Sequence, residues 1–401
     1  MAIYEIMYGR EGLLVDFPDK WNVETIKING EDLSKESIKK VIINPTDSLR
    51  IKDIAHKKDT VAIVIEDHTR GMLPSNEVMN VILEELRMAD VRKDNIFFIG
   101  ATAVHRKMAL SDFEKKLGTE ICQNFRIVTH DVFDEDHLTF VGNTSFGTPV
   151  WINSEVANSD IIIGVGGIVP HGSVGFSGGA KLILPGIAGY TSIQYNHTKI
   201  DQEVEIDSGS AIRKMRLDME EASFMVGMDF IVAGLIDSDL KLVDLVAGDP
   251  IKAHRKGIEK ARKLYQVKVN KEADIVIACS YPFDTDFFQA GKGLFTSVPF
   301  VKKGGVIIWV CSCSEGLGCH YLTTRDEAYK MCIKTTMQAI CEKATVIFCA
   351  ENLTYEEIED YLPKDVIFEK EIKKAIEKAI RLQPKGENAT ILSSSPLTIG
   401  C

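Results

Sequence analysis

Near-continuous apolar runs alternate with helical segments through most of this chain, and that rhythm constrains its fold more than any other feature. The runs TVAIVIED (60–67), NIFFIGATAVH (95–105) and SDIIIGVGGIVPH (159–171) are typical of parallel strands buried on both faces. Between the first two, residues 75–90 have helical spacing and begin at Ser75, a favourable N-cap. Strands that alternate with helices predict an α/β fold with a mainly parallel sheet.

The same rhythm returns near the carboxyl terminus and predicts a second α/β unit. A helix over 249–264 leads to apolar runs at 272–280, 304–312 and 343–351. A chain of 401 residues is also long for one core. We therefore predict two packed α/β domains with mainly parallel sheets and an active-site cleft between them. They divide as 1–265 and 266–401, and the last ten or so residues are free to return to the N-terminal domain.

Composition narrows the classes of function. The net charge of −11 argues against general binding to nucleic acid or to an anionic membrane. No segment approaches the roughly 20 apolar residues of a membrane span, and the charged start of the chain does not resemble a signal peptide. Nine cysteines without a paired CxxC favour a reducing cytoplasm. The group Cys311, Cys313, Cys319 and His320 therefore does not predict a zinc site, and its role stays open.

Polar, chemically active side chains follow the predicted strands at their carboxyl ends, where open α/β sheets bind ligands. These residues are Asp67, Arg70, His105, Arg106, His171, Lys181, Gln289 and Lys292. Arginine and lysine suit a phosphate or a carboxylate, and two histidines suit acid/base chemistry on opposite faces of a carbon. For Asp67 and Arg70 a turn with a local ion pair is the structural alternative. His130, His137 and His254 lie in polar stretches and are predicted at the surface.

The segment 171–197 concentrates the chemistry. Its glycines, Gly178 and Gly179 among them, allow close approach of the backbone to an anion or a flat ring. Lys181 precedes an apolar run, so its amine is expected beside a buried surface, where lysine becomes a nucleophile or a covalent anchor. His197 follows as a candidate metal ligand. A glycine loop that merely turns the chain is the alternative.

In these motifs the chain resembles the lactate racemase family, the nickel-pincer-dependent 2-hydroxyacid racemases and epimerases. The resemblance covers about residues 10 to 320. It rests on Asp67-x-Thr69-Arg70, His105-Arg106, the block from His171 through Gly-Gly-Ala-Lys181 to Pro185-Gly186, His197, and Gln289-x-x-Lys292.

The resemblance implies a role for each matching residue. Lys181 would anchor the nickel-pincer nucleotide, a pyridinium-3-thioamide-5-thiocarboxylic acid mononucleotide, and His197 would ligate its nickel. His105 and His171 would be the paired catalytic acid and base. Asp67, Arg70, Gly178 and Gly179 would bind the cofactor, whereas Arg106, Gln289 and Lys292 would bind the substrate. Cofactor-synthesis proteins would be partners, and a small 2-hydroxy acid the substrate.

Two departures from the family pattern bear on the substrate. The second motif reads GATAVHRKM, which is longer before the histidine than is usual, and Phe288 precedes Gln289 where the resemblance leads us to expect an aromatic hydroxyl. A side chain longer or more apolar than the methyl group of lactate is compatible with this change.

Two other classes of function remain open from the residues alone. One is an NAD-type or lysine Schiff-base enzyme acting on a small carboxylate, although GVGGIVPHGSVG does not spell the dinucleotide fingerprint GxGxxG. The other is a non-catalytic carrier of a phosphorylated ligand or of nickel, which would not need His105 and His171.

Overall fold

A computed structural model describes residues 2–70, 75–200 and 213–401. The strands are β1 (Ala2–Tyr8), β2 (Glu11–Phe17), β3 (Asn22–Ile26), β4 (Val61–Glu66), β5 (Ile96–Ala101), β6 (Arg126–Val128), β7 (Leu138–Asn143), β8 (Pro149–Asn153), β9 (Ile161–Gly167), β10 (Pro170–His171), β11 (Gly175–Phe176), β12 (Phe230–Ile236), β13 (Leu242–Gly248), β14 (Gln266–Val267), β15 (Ala273–Cys279), β16 (Val301–Val310), β17 (Thr345–Cys349), β18 (Ile367–Glu369), β19 (Asn388–Leu392) and β20 (Ile399–Gly400).

The α-helices are α1 (Lys35–Ile43), α2 (Ile51–Ile54), α3 (Asn76–Met88), α4 (Leu110–Leu117), α5 (Thr119–Asn124), α6 (Ser154–Ala157), α7 (Tyr190–Lys199), α8 (Lys214–Val226), α9 (Lys252–Tyr265), α10 (Phe287–Ser297), α11 (Tyr321–Arg325), α12 (Glu327–Lys343), α13 (Tyr355–Ile358) and α14 (Ile372–Leu382). Ser75 caps α3 by accepting a hydrogen bond from the backbone N–H of Val78, as its position in the sequence predicts. Within the described residues, no helix is both long and apolar enough to cross a membrane.

Two six-stranded sheets form the centres of two α/β units, which confirms the predicted fold class. The first has the order β13-β12-β9-β4-β5-β6 and is parallel except for β13, and the second has the order β18-β17-β16-β15-β19-β3 and is parallel throughout. Successive residues of β4 face opposite sides: Val61, Ile63 and Ile65 pack with α1–α5, and Ala62 and Val64 pack with α7–α9. Because both faces of β4 are buried, the strand has apolar residues at successive positions instead of alternating apolar and polar ones.

The amino terminus departs from the expected division at residue 265. β3 pairs with β19 and so completes the second sheet, while Ile6 and Phe17 of the β1–β2 hairpin pack against residues of that sheet. The beginning of the chain thus belongs structurally to the unit formed by its end. The tail also contacts this unit, because the hydroxyl of Thr296 on α10 donates to the carbonyl of Ser395 at 2.7 Å, although Leu397 packs with the core of the first unit.

The topology places both sheets' ligand-binding edges next to one another. In the first sheet the chain runs outward from β4 to β5 and β6 on one side, and to β9 and β12 on the other. In the second sheet the same reversal falls between β15 and β19. A crevice forms beyond the carboxyl ends of strands at such a reversal. Segments following β4, β5, β9, β15 and β16 line one pocket between the two units.

Candidate functional site

Most of the site residues predicted from the sequence come together in this pocket. They are Asp67, Arg70, His105, His171, Gly178, Lys181, His197, Gln289 and Lys292. The first seven belong to the first unit, and the last two lie on α10 of the second. The segments that follow four sheet strands, β4, β5, β9 and β15, therefore form a single site.

Lys181 lies in a short 3₁₀ helix, Gly179–Leu182, which directs its amine into the pocket. Its Nζ lies 3.0 Å from Nε2 of His171. Burial lowers the pKa of Lys181 well below its ordinary value, and the positive charges of Arg70 and Arg216 lower it further. The amine thus lies beside a buried surface, as the apolar run after it predicts, and its lowered pKa favours the neutral, nucleophilic form.

The glycine loop leaves no room for side chains at two consecutive positions. Gly178 has φ +74°, and a Cβ there would lie 2.7 Å from the carbonyl oxygen of Gly167. Gly179 has φ +61°, and its Cβ would meet the His254 ring at 2.9 Å. Of the two only Gly178 lines the pocket. Gly179 serves the packing beneath the loop, so its predicted contact with the cofactor has no counterpart in this geometry.

Two arginines at the start of α8 donate hydrogen bonds to backbone carbonyls of the glycine loop. Arg213 donates to the carbonyl of Gly172 at 2.7 Å. Fully buried Arg216 donates to the carbonyls of Phe176 and Gly178. Burial lowers the pKa of Arg216 to about 10, so it is still charged at neutral pH. The loop is consequently fixed in place, with a buried cation behind it.

His105 is oriented on both sides of its ring. Nδ1 donates to Oδ2 of Asp67, and Nε2 accepts from Nε2 of Gln289 at 2.9 Å. Burial alone would raise the pKa of Asp67, but the hydrogen bond from His105 and the charge of Arg70 hold it well below its ordinary value. The carboxylate therefore fixes the tautomer of His105 and leaves Nε2 as a proton acceptor.

Arg70 and Lys292 form a cationic corner of the pocket. Nη1 of Arg70 donates to Oε1 of Gln289 at 2.6 Å, and Nζ of Lys292 donates to the same oxygen. Both cations also lie over the ring of Phe283, at 5.8 Å and 5.0 Å from its centroid. Two positive groups that converge on one neutral amide oxygen can bind a carboxylate or a phosphate there.

His197 has the features of a metal ligand. On α7, its Nδ1 donates to the carbonyl of Ile193 at 3.0 Å, so the lone pair of the neutral ring is on Nε2. Burial, followed by the charge of Lys181, lowers the pKa of His197 to about 4 and keeps the ring neutral. Among the residues described, no three His, Cys, Asp or Glu side chains group as a metal site. His197 and Lys181 together fit a nickel cofactor that brings its other donor atoms with it.

Arg106 lies outside the pocket lining, in contrast to its predicted role in substrate binding. Its guanidinium donates to Asp112 at 2.6 and 3.1 Å and to Glu315 of the second unit at 3.1 and 3.0 Å. Its hydrogen-bonding capacity is used in a link between the two units.

Two histidines predicted at the surface are buried. His130 and His254 donate through Nε2 to the carbonyls of Ala188 and Ser177, at 3.0 and 2.7 Å. The prediction was wrong because polar neighbours in the sequence do not show whether a backbone carbonyl will accept a hydrogen bond from a buried imidazole. His137 is exposed, as predicted.

Sequence reasoning missed other polar residues of the pocket, among them His320, Tyr329 and Glu66. His320 stacks on Tyr329, with ring centroids 5.7 Å apart and an interplanar angle of 11°, and its ring lies 5.7 Å from that of His105. Glu66, the last residue of β4, is buried, and burial raises the pKa of its carboxyl. The strand-end rule that found Asp67 applies equally to Glu66 and to His320, which follows β16.

Comparison with known proteins shows to which family the chain belongs. The family described as the lactate racemase N-terminal domain matches residues 8–209, and the lactate racemase C-terminal domain matches residues 268–341. The chain belongs to the lactate racemase family. It is 33% identical over 330 residues to the lactate racemase of Thermoanaerobacterium thermosaccharolyticum, covering 79% of this chain and 76% of that protein. Its identity to the lactate racemase of Lactiplantibacillus plantarum is 32% over 290 residues, covering 71% and 67%.

Solved structures agree with the family assignment. The lactate racemase apoprotein from T. thermosaccharolyticum superimposes with a TM-score of 0.82 at 28% identity, over 100% of both chains. A protein from Thermotoga maritima gives a TM-score of 0.71 at 19% identity, over 93% of this chain and 99% of that one, and shows likeness of fold. The likeness to a lactate racemase structure therefore includes both α/β units of this family member.

Proposed function

We propose that this protein racemises lactate or a closely related 2-hydroxy acid with a nickel-pincer nucleotide attached to Lys181. The observation that carries the proposal is the placement of His105 and His171 in one pocket with Lys181 and His197. Curated relatives of this chain are lactate racemases. A second clue is that the two histidines are hydrogen-bonded differently, since Nε2 of His105 accepts from Gln289 while Nδ1 of His171 accepts from the backbone N–H of Ser173 at 3.3 Å.

Each imidazole has a defined part in the reaction. When bound, the cofactor would accept the hydride from C2 of the substrate and return it. Nε2 of His105, unprotonated and supported by Asp67, takes the proton of the substrate hydroxyl. For the return step His171 would supply a proton from its imidazolium form. Exchange of these states allows the reaction to run from either enantiomer.

Charge and burial hold the reactants in place. The cationic corner of Arg70 and Lys292 would bind the substrate carboxylate or the cofactor phosphate, and His197 would ligate the nickel. Burial of these groups excludes water, which strengthens their electrostatic interactions and protects the keto-acid stage of the reaction.

The second unit supplies an apolar wall to the pocket. This wall consists of Phe288, Phe295, Ile333 and Met337. Because Phe288 has no hydroxyl, it gives the substrate side chain an apolar contact and no hydrogen bond. The proposal therefore includes 2-hydroxy acids with apolar side chains at least as large as the methyl group of lactate.

The decisive experiment uses protein produced together with cofactor-synthesis proteins, which we propose as its partners. Peptide mass mapping should find an adduct on Lys181, metal analysis should find near-stoichiometric nickel, and chiral chromatography should show D- and L-lactate interconverting without added NAD. Lys181→Met should abolish all three, whereas Lys199→Met, an exposed control on α7, should change none. Turnover that requires NAD, or an unmodified Lys181 in an active enzyme, would refute the proposal.

A further inference from the structure

His320 places a hydrogen-bond donor in the wall of the pocket. It lies immediately before α11, and its Nδ1 accepts from the backbone N–H of Thr323 at 3.3 Å. The hydroxyl of Thr323 lies 2.8 Å from the same nitrogen. A backbone N–H can only donate, so Nδ1 carries a lone pair and the single proton of the neutral ring is on Nε2. Burial favours the same neutral state, because it lowers the pKa of His320 well below its ordinary value.

The N–H of Nε2 meets no acceptor among the residues that the structure describes. The ring of His320 is packed against the rings of Phe288 and Tyr329, with centroids 5.9 and 5.7 Å away. An N–H group that loses its water when a ligand binds, and gains no partner in exchange, weakens binding. A ligand that fills this part of the pocket is therefore expected to bring an acceptor, such as an oxygen atom.

The neighbouring His105 indicates which oxygen this is. The rings of His320 and His105 both line the pocket, and their centroids are 5.7 Å apart. Two hydrogen bonds of about 2.8 Å span up to about 5.6 Å, so a single oxygen atom between the rings can contact both. Under the proposed function, Nε2 of His105 takes the proton of the substrate hydroxyl. The oxygen shared by the two rings is then the one on C2.

We propose that Nε2 of His320 donates a hydrogen bond to the C2 oxygen of the substrate and stabilises the charge that develops there. This inference rests on the proposed function. When the O–H bond breaks, its electron pair stays on the oxygen and the proton forms a new bond to Nε2 of His105. A donor already held in place by Thr323 stabilises this charge without reorganisation. No proton leaves His320, so its neutral imidazole is sufficient for the role.

Two small carboxylates test for this hydrogen bond by binding alone. Oxamate has an oxygen on C2, whereas propionate has none and is of similar size. Protein that carries its cofactor is titrated with each by isothermal titration calorimetry. In His320→Phe, which keeps an aromatic ring beside Tyr329, the Kd of oxamate should rise about 3- to 10-fold, as expected for the loss of one hydrogen bond. The Kd of propionate should not change. His137→Phe, an exposed control, should change neither.

A second variant separates the hydrogen bond to the ligand from the cap of α11. The side chain of His320→Asn can still accept from the N–H of Thr323, but it is too short to replace Nε2 in the pocket. Its affinity for oxamate should fall as in His320→Phe, while its nickel content and its midpoint of thermal unfolding stay those of the wild type. With lactate, kcat of both variants should fall about 100-fold, with a smaller change in KM.

The results distinguish this inference from the proposed function. Unchanged affinity for oxamate in His320→Asn, or equal weakening of oxamate and propionate, would overturn the role of His320. A wild-type protein that binds oxamate through His320 but does not racemise lactate would instead count against the proposed function alone.

Discussion

Nδ1 of His105 donates a hydrogen bond to Oδ2 of Asp67, so a buried carboxylate at the end of β4 orients an imidazole that follows β5. The carboxylate selects the tautomer in which Nε2 is unprotonated, and it would stabilise the imidazolium formed during turnover. Thr69 holds the other oxygen, Oδ1, through its backbone N–H and its hydroxyl at 3.1 and 2.7 Å. The pair is thus fixed from both ends.

Replacement of Asp67 by asparagine should reduce kcat by about 10²- to 10⁴-fold with a small change in KM. The asparagine amide can donate to Nδ1 and so favours the tautomer in which Nε2 of His105 carries the proton. Steady-state racemisation of lactate by loaded enzyme measures the effect. Asp134→Asn is a matched control, because Asp134 accepts from Nδ1 of His137 at 2.9 Å in an exposed pair outside the pocket. A kcat for Asp67→Asn near that of Asp134→Asn would contradict the role given to Asp67.

Mutation should separate two properties of the protein, covalent attachment of the cofactor to Lys181 and binding of nickel by His197. In His197→Ala the adduct on Lys181 should persist, because Lys181 makes the covalent bond, whereas most of the nickel should be lost. Peptide mass mapping and metal analysis of the same sample measure the two properties independently. His137→Ala, on the surface, should keep both. Full nickel occupancy in His197→Ala would show that another group ligates the metal.

The sequence predicts the site better than it predicts the partners of individual side chains. The rule that ligands gather at the carboxyl ends of strands brings Asp67, His171 and Lys181 together correctly, because it depends on the parallel sheet and not on side-chain detail. Arg106 shows where the rule stops. It follows His105 directly, yet its side chain points to Asp112 and to Glu315, a partner 209 residues away that local pattern cannot supply.

The local sequence pattern also does not show which distant segments pair as strands. Residues 22–26 are recognisable as a strand, but their pairing with β19 joins opposite ends of the chain. The apolar residues of α1, Ile38 and Ile42, likewise become informative only once the sheet they cover is known. The sequence groups His320 with nearby cysteines, none of which lines the pocket, whereas the ring of His320 does so and lies 5.7 Å from that of His105.

The different settings of Arg106 and Lys292 predict different kinetic effects. Lys292→Met removes a cation from the pocket and should raise KM for lactate about 10- to 100-fold, the loss expected for one charge-assisted hydrogen bond. Arg106→Gln removes a cation engaged by Asp112 and Glu315 and should leave KM nearly unchanged. Initial rates over a range of lactate concentrations distinguish the two. If Arg106→Gln raised KM as much as Lys292→Met does, the substrate-binding role predicted from the sequence would be restored.

Burial of His130 should make the protein acid-sensitive over a defined pH range. Burial lowers the pKa of His130 to about 4, whereas an unfolded histidine titrates near 6.5. Between these values the unfolded state binds a proton that the folded state does not, so the free energy of unfolding falls as pH falls from about 6.5 to about 4. The contribution of one histidine to this slope is at most about 1.4 kcal/mol per pH unit. In His130→Gln, whose amide can still donate to the carbonyl of Ala188, urea unfolding between pH 4.5 and 7 should give a shallower slope. His137→Gln should not, since Asp134 raises the pKa of exposed His137, and a slope unchanged by His130→Gln would mean that His130 is protonated in the folded protein.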